Sequence, residues 1–276
     1  MFIAIDVGGT HTRVASSNNL KTIQQIKRFS TPKNFNLAME KIVTAIQEII
    51  QKQKVQKIII GLPGVIDQKK RKLLTAPNLK NWVNKPLTNL LSKKFNCLVF
   101  MANDNDLAGL GEAVFGAGKK HQLIAYIAIG TGLGGTRIVN KQIDQSAYGF
   151  EPGHQIIQKN GKYWPHCQQK GCLESLISGR AFFKNYKIKP EKCQNRKIWR
   201  NFAHLLGQGL VNTIVLWSPN IVIIGGGFAQ RSHLFLKPLK EFVKKNLLIF
   251  KPPMIVKGNL GDQAGIYGGF HFLKTK

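Results

Sequence analysis

Apolar residues recur along this chain in short runs that end at glycine, with longer amphipathic stretches between them. Phe2–Val7 reads as a strand, with Asp6, Gly8, Gly9 and Thr10 at the turn and a second strand beginning near Arg13. In residues 36–53, Leu37, Ile42, Ala45, Ile46 and Ile49 recur near helical spacing and predict an amphipathic helix. Residues 57–60 predict a short buried strand that ends in Gly61-Leu62-Pro63-Gly64. After a basic excursion through Lys69, Lys70, Arg71 and Lys72, a loop opens at Ala76-Pro77-Asn78-Leu79. Residues 87–94 are predicted helical and 97–101 return to strand, which runs into Asn103-Asp104-Asn105-Asp106 and a helix through Val114.

The pattern then starts again. Leu123–Ile129 predicts a strand, Gly130-Thr131-Gly132 a turn and residues 135–139 the paired strand, so the arrangement around Asp6 is approximately repeated. Residues 200–216 predict a long helix, 221–224 a buried strand, Gly225-Gly226-Gly227 a close-approach turn, and 259–270 a glycine-rich helix packed back on the body. Alternating strands and helices place the chain in the α/β class. The repeat predicts two related α/β domains flanking an active-site cleft, over residues 1–115 and 116–276, with the final helix able to pack back on the first.

A length of 276 residues suits two domains, and 43% hydrophobic with 20% charged residues excludes collagen-like, coiled-coil and wholly disordered classes. Charge changes the picture more. Lys and Arg number 41 against 13 Asp and Glu, leaving +28, which favours anionic partners without naming one. The cations are scattered, as in Lys184, Lys187 and Lys189, and no zinc-finger, basic-zipper or helix-turn-helix pattern accompanies them, so specific nucleic-acid binding is not expected. Cys97, Cys167, Cys172 and Cys193 are too few to staple the chain, no apolar run reaches membrane-spanning length, and the first residues read as a strand rather than a secretory signal. The expectation is a cytoplasmic protein with reduced thiols and no membrane partner.

Candidate chemistry gathers at the strand ends. Asp6, Thr10, Asn103, Asp104 and Thr131 sit beside flexible glycines; backbone N–H groups in such turns hold phosphate, and a nearby carboxylate orients Mg²⁺ or accepts a hydroxyl proton. One such turn is equally served by glycine as turn geometry, and Asp104 alone by an Asx turn or helix cap. Two similar turns plus a polar strand end weigh toward phosphate. The chain has neither a P-loop nor a dinucleotide fingerprint.

Taken in order, Asp6-Val7-Gly8-Gly9-Thr10, Gly61-Leu62-Pro63-Gly64, Asn78-Leu79 with Trp82, Asn103-Asp104-Asn105-Asp106, Gly111-Glu112, Gly130-Thr131-Gly132-Leu133-Gly134-Gly135, Glu151-Pro152-Gly153-His154, Gly171-Cys172-Leu173-Glu174 and Gly225-Gly226-Gly227 span nearly the whole chain. Each motif is weak and the ordered set is strong: the chain resembles the ROK (repressor, open reading frame, kinase) branch of the actin-like sugar kinases. The resemblance implies an actin-like (ribonuclease H-like) ATPase fold. It implies that Asp6, Gly8, Gly9 and Thr10 form a first phosphate and Mg²⁺ loop, that Gly130, Thr131 and Gly132 form a second, and that Gly225, Gly226 and Gly227 lie beside adenosine. Gly64, Asn78, Asn103, Asp104, Glu151, His154 and Glu174 would lie at the sugar, with Asp104 as the base. The implied reaction moves the γ-phosphoryl group of ATP to the 6-hydroxyl of glucose or a related hexose, such as fructose, mannose, N-acetylglucosamine or N-acetylmannosamine, in a homodimeric enzyme.

The resemblance leaves two points open. Family members commonly carry a zinc loop, a His followed by Cys-x-Cys-Gly-x-x-Gly-Cys-x-Glu; here Pro165 stands at the first cysteine and Gln168 at the following glycine. His154, Cys167 and Cys172 remain, and either His166 fills the fourth position or the loop has lost its Zn²⁺; Trp164 is expected to pack this loop. The donor is the other point, because the Asn103–Gly118 stretch also resembles polyphosphate-dependent glucokinases. From another class, the family contains sugar-sensing repressors; these carry a preceding DNA-binding domain, whereas the resemblance here starts at Phe2. His11, His121, His204 and Cys193 need no catalytic role.

Overall fold

β1 (Phe2–Val7) places Ile3, Ile5 and Val7 in one buried cluster and Ala4 in another, the alternation of a strand covered on both faces. The computed structural model describes residues 1–67, 72–76 and 78–276, so Lys69, Lys70, Arg71 and Pro77 lie outside the described residues. β1 is followed by β2 (His11–Ser17), β3 (Gln25–Ser30), α1 (Phe35–Ile50), β4 (Lys57–Leu62), the ribbon β5 (Val65–Asp67) and β6 (Lys72–Thr75), α2 (Leu87–Phe95), β7 (Leu98–Asn103) and α3 (Asp104–Val114). The sheet order is β3-β2-β1-β4-β7; β1 to β3 run antiparallel, and β4 and β7 continue parallel to β1. Ile42, Ile46 and Ile49 of α1 and Leu91 of α2 join the cluster of Ile3, Ile5, Ile58 and Ile60. Helix α1 stops short of the predicted residue 53 because Gln51 and Lys52 take left-handed φ values of 47° and 69°.

The second unit repeats this plan. β8 (Leu123–Ile129), β9 (Leu133–Val139) and β10 (Gln142–Ile143) form the antiparallel part; the small ribbon β11 (Tyr163–Trp164) and β12 (Gln169–Lys170), then α4 (Glu174–Ile177), α5 (Gly179–Tyr186) and α6 (Arg196–Trp217) intervene. β13 (Ile221–Gly225), α7 (Ser232–Asn246) and β14 (Met254–Lys257) complete it. The order β10-β9-β8-β13-β14, with β13 and β14 parallel to β8, matches the first sheet strand for strand. Ala125, Ile127, Ile129, Val222 and Ile224 pack with Phe202, Leu206, Leu210 and Ile214 of α6 and Phe235, Leu239 and Val243 of α7. Helix α6 begins before the predicted residue 200 because the Asn195 side chain accepts from the N–H groups of Lys197 and Ile198.

The chain ends in α8 (Ala264–Lys274). It divides into one unit of residues 1–115 with 263–276 and another of 116–262, so the second unit stops at Asp262 rather than running to residue 276. The glycines of α8 explain why. A side chain at Gly268 would strike the Leu107 carbonyl, and one at Gly111 the Ala264 carbonyl, so α3 and α8 meet backbone to backbone. The helix starts later than the predicted residue 259 because Gly261 adopts φ 52° just before it. Among the described residues no helix is long and apolar enough to cross a membrane.

Candidate active site

In the first unit, the hairpin register sets Asp6 opposite Arg13, and Arg13 NH1 lies 3.3 Å from Asp6 Oδ2, both side chains largely buried. The carbonyls of the Gly8–Thr10 turn are engaged from within the unit. The Thr31 hydroxyl donates to Gly8 O at 2.8 Å, Lys33 Nζ to Gly9 O at 2.9 Å, and the Thr31 N–H to Thr10 O at 2.9 Å. The Gly8 N–H donates to His11 O at 2.9 Å, so what the turn can offer a ligand is the N–H groups of Gly9 and Thr10, of the kind that receive phosphate oxygens. Lys33 Nζ also donates to Asn78 O at 3.1 Å, and the Asn78 side chain lies against Gly9.

At the end of β7 the capping role falls to Asn103, not Asp104. Asn103 Oδ1 accepts from the N–H groups of Asn105 at 2.8 Å and Asp106 at 3.3 Å, while its Nδ2 donates to Gly64 O at 3.1 Å. Gly64 has φ 114°, and a side chain there would strike the Thr75 carbonyl. Asp104 is the first residue of α3, and its Oδ1 accepts from the Asn105 N–H at 2.9 Å and from Asn105 Nδ2 at 3.1 Å.

In the second unit, Gly130-Thr131-Gly132 joins β8 to β9. Gly130 N–H donates to Gly132 O at 2.9 Å and Gly179 N–H to Gly130 O at 2.8 Å. Glu174 Oε2 accepts the Leu133 N–H at 2.9 Å and Oε1 the Trp164 indole N–H at 3.1 Å. A Cβ on Gly132 would lie 2.7 Å from Glu174 Oε2. Gly225 leaves room for the Tyr126 phenol, Gly226 has φ 73° against the Ile129 carbonyl, and Gly227 faces open space. Glu151 precedes the short turn Pro152–His154, with His154 Nε2 4.0 Å from Glu151 Oε2. Both line a cavity of about 600 Å³ with Asn212, Thr213, Leu216 and Trp217.

One donor atom from each of His154, Cys167 and Cys172 falls within 4.8 Å of the others, and the two sulfurs are 3.3 Å apart. Burial pushes the Cys167 thiol up to about 11. Burial also pushes Cys172 up, but hydrogen bonds to His154, Cys167 and Ser175 outweigh it and hold that thiol below its ordinary value; the Cys172 hydrogen bond in turn raises His154. His154 Nδ1 is buried without a hydrogen-bond partner, an orphan that a metal ion would satisfy. These three donors fit zinc at three of its four positions. Pro165 supplies no donor, and His166 does not join: its ring packs edge-on to Trp164 at 5.2 Å and its Nδ1 lies 3.1 Å from Arg180 NH1. Of the two alternatives, His166 as fourth ligand or a loop without Zn²⁺, the structure does not bring His166 into the cluster.

Of the predicted residues, Asp6, Gly8, Gly9, Thr10, Gly64, Asn78, Asn103 and Asp104 fall in the first unit and Gly130, Thr131, Gly132, Glu151, His154, Glu174, Gly225, Gly226 and Gly227 in the second. Sequence reasoning missed Arg13, Lys33 and the indole bond of Trp164. Arg13 was accessible by counting a tight hairpin back from Asp6; the other two pairings leave no local pattern.

The ROK family model matches residues 2–276. The glucokinase of Thermotoga maritima is 28% identical over 99% of this chain and 97% of its own length. The xylose repressor of Caldicellulosiruptor bescii is 30% identical over 76% of this chain and 60% of its own. A ROK family glucokinase from Streptomyces griseus, solved with glucose and AMPPNP, matches at 25% identity with TM-score 0.86, covering 100% of this chain and 99% of that one. A ROK hexokinase from Thermus thermophilus shares the fold at TM-score 0.87 and 22% identity, with 100% and 99% of the two chains covered. Two sheets of one topology, each with its glycine turn after the first strand, and a family match along the chain give one conclusion: the chain belongs to the ROK family and has its actin-like ATPase fold.

Proposed function

We propose that this protein is a hexokinase that transfers the terminal phosphoryl group of ATP to the 6-hydroxyl of glucose or a closely related hexose. The observation that carries the reading is the pre-set carboxylate of Asp104: Asn103 takes over the helix cap, and two N–H bonds from Asn105 orient one carboxylate oxygen before any sugar arrives. The glucokinase relatives, one of them solved with glucose and AMPPNP, support glucose as acceptor and a nucleotide as donor.

In this reading, the sugar hydroxyl donates to Asp104. As the bond from the sugar oxygen to phosphorus forms and the bond from phosphorus to the ADP oxygen breaks, the hydroxyl proton passes to the carboxylate. The N–H groups of Gly9 and Thr10 in one turn and of Thr131 and Gly132 in the other receive phosphate oxygens, Gly8 and Gly130 shaping those turns through their own bonds to His11 O and Gly132 O, and Gly225 to Gly227 lie along adenosine. Mg²⁺ would neutralise charge on the phosphates, and the Asp6 carboxylate is a hard oxygen donor of the type it prefers. Asn78, Asn103, Glu151, His154 and Glu174 pair with sugar hydroxyls, so that a sugar lacking one leaves a polar group unpaired. The enzyme is proposed to act as a homodimer.

A second donor is favoured by one observation: a net charge of +28 suits an extended polyanion, and polyphosphate would replace ATP on the same loops. The test is Mg²⁺-dependent phosphoryl transfer from ATP or polyphosphate to glucose, mannose, fructose and the N-acetylhexosamines, with Asp104→Asn alongside. Glucose-dependent turnover with ATP that is lost in the variant is the expected result. Faster turnover with polyphosphate would replace the donor. Folded wild-type protein that turns over no pair would overturn the kinase reading and favour sugar sensing, the class of the xylose repressor relatives.

A further inference from the structure

The tip between α7 and β14 carries a run of consecutive exposed apolar residues, whereas the other large apolar side chains exposed on the second unit, such as Tyr148 and Ile156, stand singly or as the pair Val215-Leu216. Leu247 is buried in the core, so the three residues after it project: Leu248 is 84% exposed, Ile249 77% and Phe250 41%. Met254, at the start of edge strand β14, is 57% exposed. Leu248 and Ile249 give little to the core and Phe250 is only partly covered, and such a consecutive apolar run at a loop tip suits contact with something apolar.

The neighbouring residues select what it meets. Lys244 and Lys245 lie in the last turn of α7 and Lys251 follows Phe250, all exposed; Lys240 and Lys237 lie one and two turns earlier on the helix. Glu241 is the only acidic residue between positions 232 and 257. A second copy of this chain would bring the same cations against each other. Nucleic acid would neutralise them, but its bases stack on aromatic and guanidinium planes rather than on Leu and Ile. An anionic bilayer offers both complements at once, phosphate charge at its surface and an apolar layer just beneath.

We infer that the tip Leu248-Ile249-Phe250, flanked by Lys244, Lys245 and Lys251, docks this protein on an anionic lipid surface. This replaces the expectation of no membrane partner with a surface contact, which needs no spanning helix, and it is independent of the kinase reading. Docking rests on apolar insertion and charge together, so each half can be removed separately.

The experiment is flotation of the full chain with phosphatidylcholine vesicles and with vesicles containing added phosphatidylglycerol, at low and high salt. Leu248→Ser/Ile249→Ser/Phe250→Ser keeps every charge, and Lys244→Glu/Lys245→Glu/Lys251→Glu keeps the apolar tip. Lys41→Glu/Lys93→Glu/Lys94→Glu, exposed on α1 and α2 of the first unit, matches the charge change elsewhere. Wild type is expected on anionic vesicles only, each tip variant about tenfold weaker or more, and the remote variant far less affected. The altered tip positions are exposed, and melting by circular dichroism confirms the fold; the single Ile249→Ser carries the same prediction at a smaller fold-change. Wild type that ignores anionic vesicles overturns the inference. So does a serine variant that binds as wild type does, which would leave bare polycation attraction, or one that instead turns a dimer into a monomer, which would make the tip an interface between copies.

Discussion

Leu133 donates its backbone N–H to Glu174 Oε2 at 2.9 Å, a bond between residues 41 positions apart that ties the end of the Gly130–Gly132 turn to the first residue of α4. The other oxygen of the same carboxylate takes the Trp164 indole N–H, and Lys184 Nζ lies 5.4 Å from the centre of the Trp164 ring. Glu174, one of the proposed sugar contacts, therefore also braces a proposed phosphate turn.

Glu174→Gln should damage that brace. A carboxylate accepts both N–H groups, whereas an amide must turn its own NH₂ toward one of them, at a cost of about 1–3 kcal/mol for the unmatched pair. Trp164→Phe removes only the indole donor and leaves Leu133 bonded. Melting temperature and KM for ATP are the readouts: both variants lower the first, and Glu174→Gln raises the second more. Equal KM changes would mean that the Leu133 bond does not set the turn.

Asn103→Ala and Asp104→Asn should separate in stability. Asn103→Ala removes the cap of α3 and the bond to Gly64 O and should cost about 1 kcal/mol or more. Asp104→Asn keeps an oxygen for the Asn105 N–H, so thermal denaturation should match wild type. Its turnover should fall by roughly 10²–10⁴-fold because an amide does not accept the hydroxyl proton. A folded Asp104→Asn enzyme with wild-type turnover would remove Asp104 as the base.

Much of this architecture was legible because it is local. Ile3, Ile5 and Val7 against Ala4, and Ile58 and Ile60 against Ile59, announce strands covered on two faces, and the glycine turns after Asp6 and Ile129 announce the repeat. Boundaries moved where one residue's backbone decides, as at Gln51 and Gly261, or where an existing cap signal was passed over, as at Asn195. What pattern could not reveal is long-range pairing. Nothing near Lys33 in sequence indicates Asn78 O, and nothing near Trp164 indicates that its indole meets a carboxylate shared with Leu133. The glycines of α8 read as a helix feature, yet their use is set by the carbonyls of α3 that they meet.

The three glycines after β13 should not behave alike. Gly226→Ala puts a side chain at φ 73° against the Ile129 carbonyl and should destabilise by several kcal/mol, roughly 1–3 from the backbone strain and the rest from the clash. Gly227→Ala meets nothing within 4 Å and should melt as wild type does. If adenosine lies there, Gly227→Ala raises KM for ATP and leaves KM for the hexose unchanged. Unchanged ATP kinetics would remove Gly227 from the donor site.

Lys141 is a stability residue outside the proposed chemistry. Its ammonium donates to the carbonyls of Gly118, Lys119 and His121 at 2.8, 2.9 and 2.8 Å, matching three donors to three acceptors. Lys141→Met should therefore cost about 1–3 kcal/mol near neutral pH. Burial holds the folded pKa below the ordinary 10.5, so the unfolded chain keeps more protons in the alkaline window just under that value. This lysine's share of stability accordingly rises with pH through the window. Chemical denaturation across that range should show a smaller alkaline rise in Lys141→Met than in wild type, and parallel profiles would refute the assignment.

The metal cluster supplies the last prediction. His154, Cys167 and Cys172 present three donors, and Pro165 stands where the family pattern has a third cysteine as fourth ligand. A zinc ion held by three side chains completes its shell with an exchangeable ligand and leaves the protein more readily than one held by four. Pro165→Cys should retain zinc against a chromophoric chelator roughly ten- to a hundredfold better than wild type. With Co²⁺ in place of zinc, the variant should show stronger thiolate charge-transfer absorption, a readout independent of turnover. Cys172→Ser should lose the metal in either background. Equal retention by wild type and Pro165→Cys would mean that another group closes the shell, with His166 the nearest candidate in sequence once its contact with Arg180 is released, and Arg180→Ala would then tighten zinc in the wild-type loop.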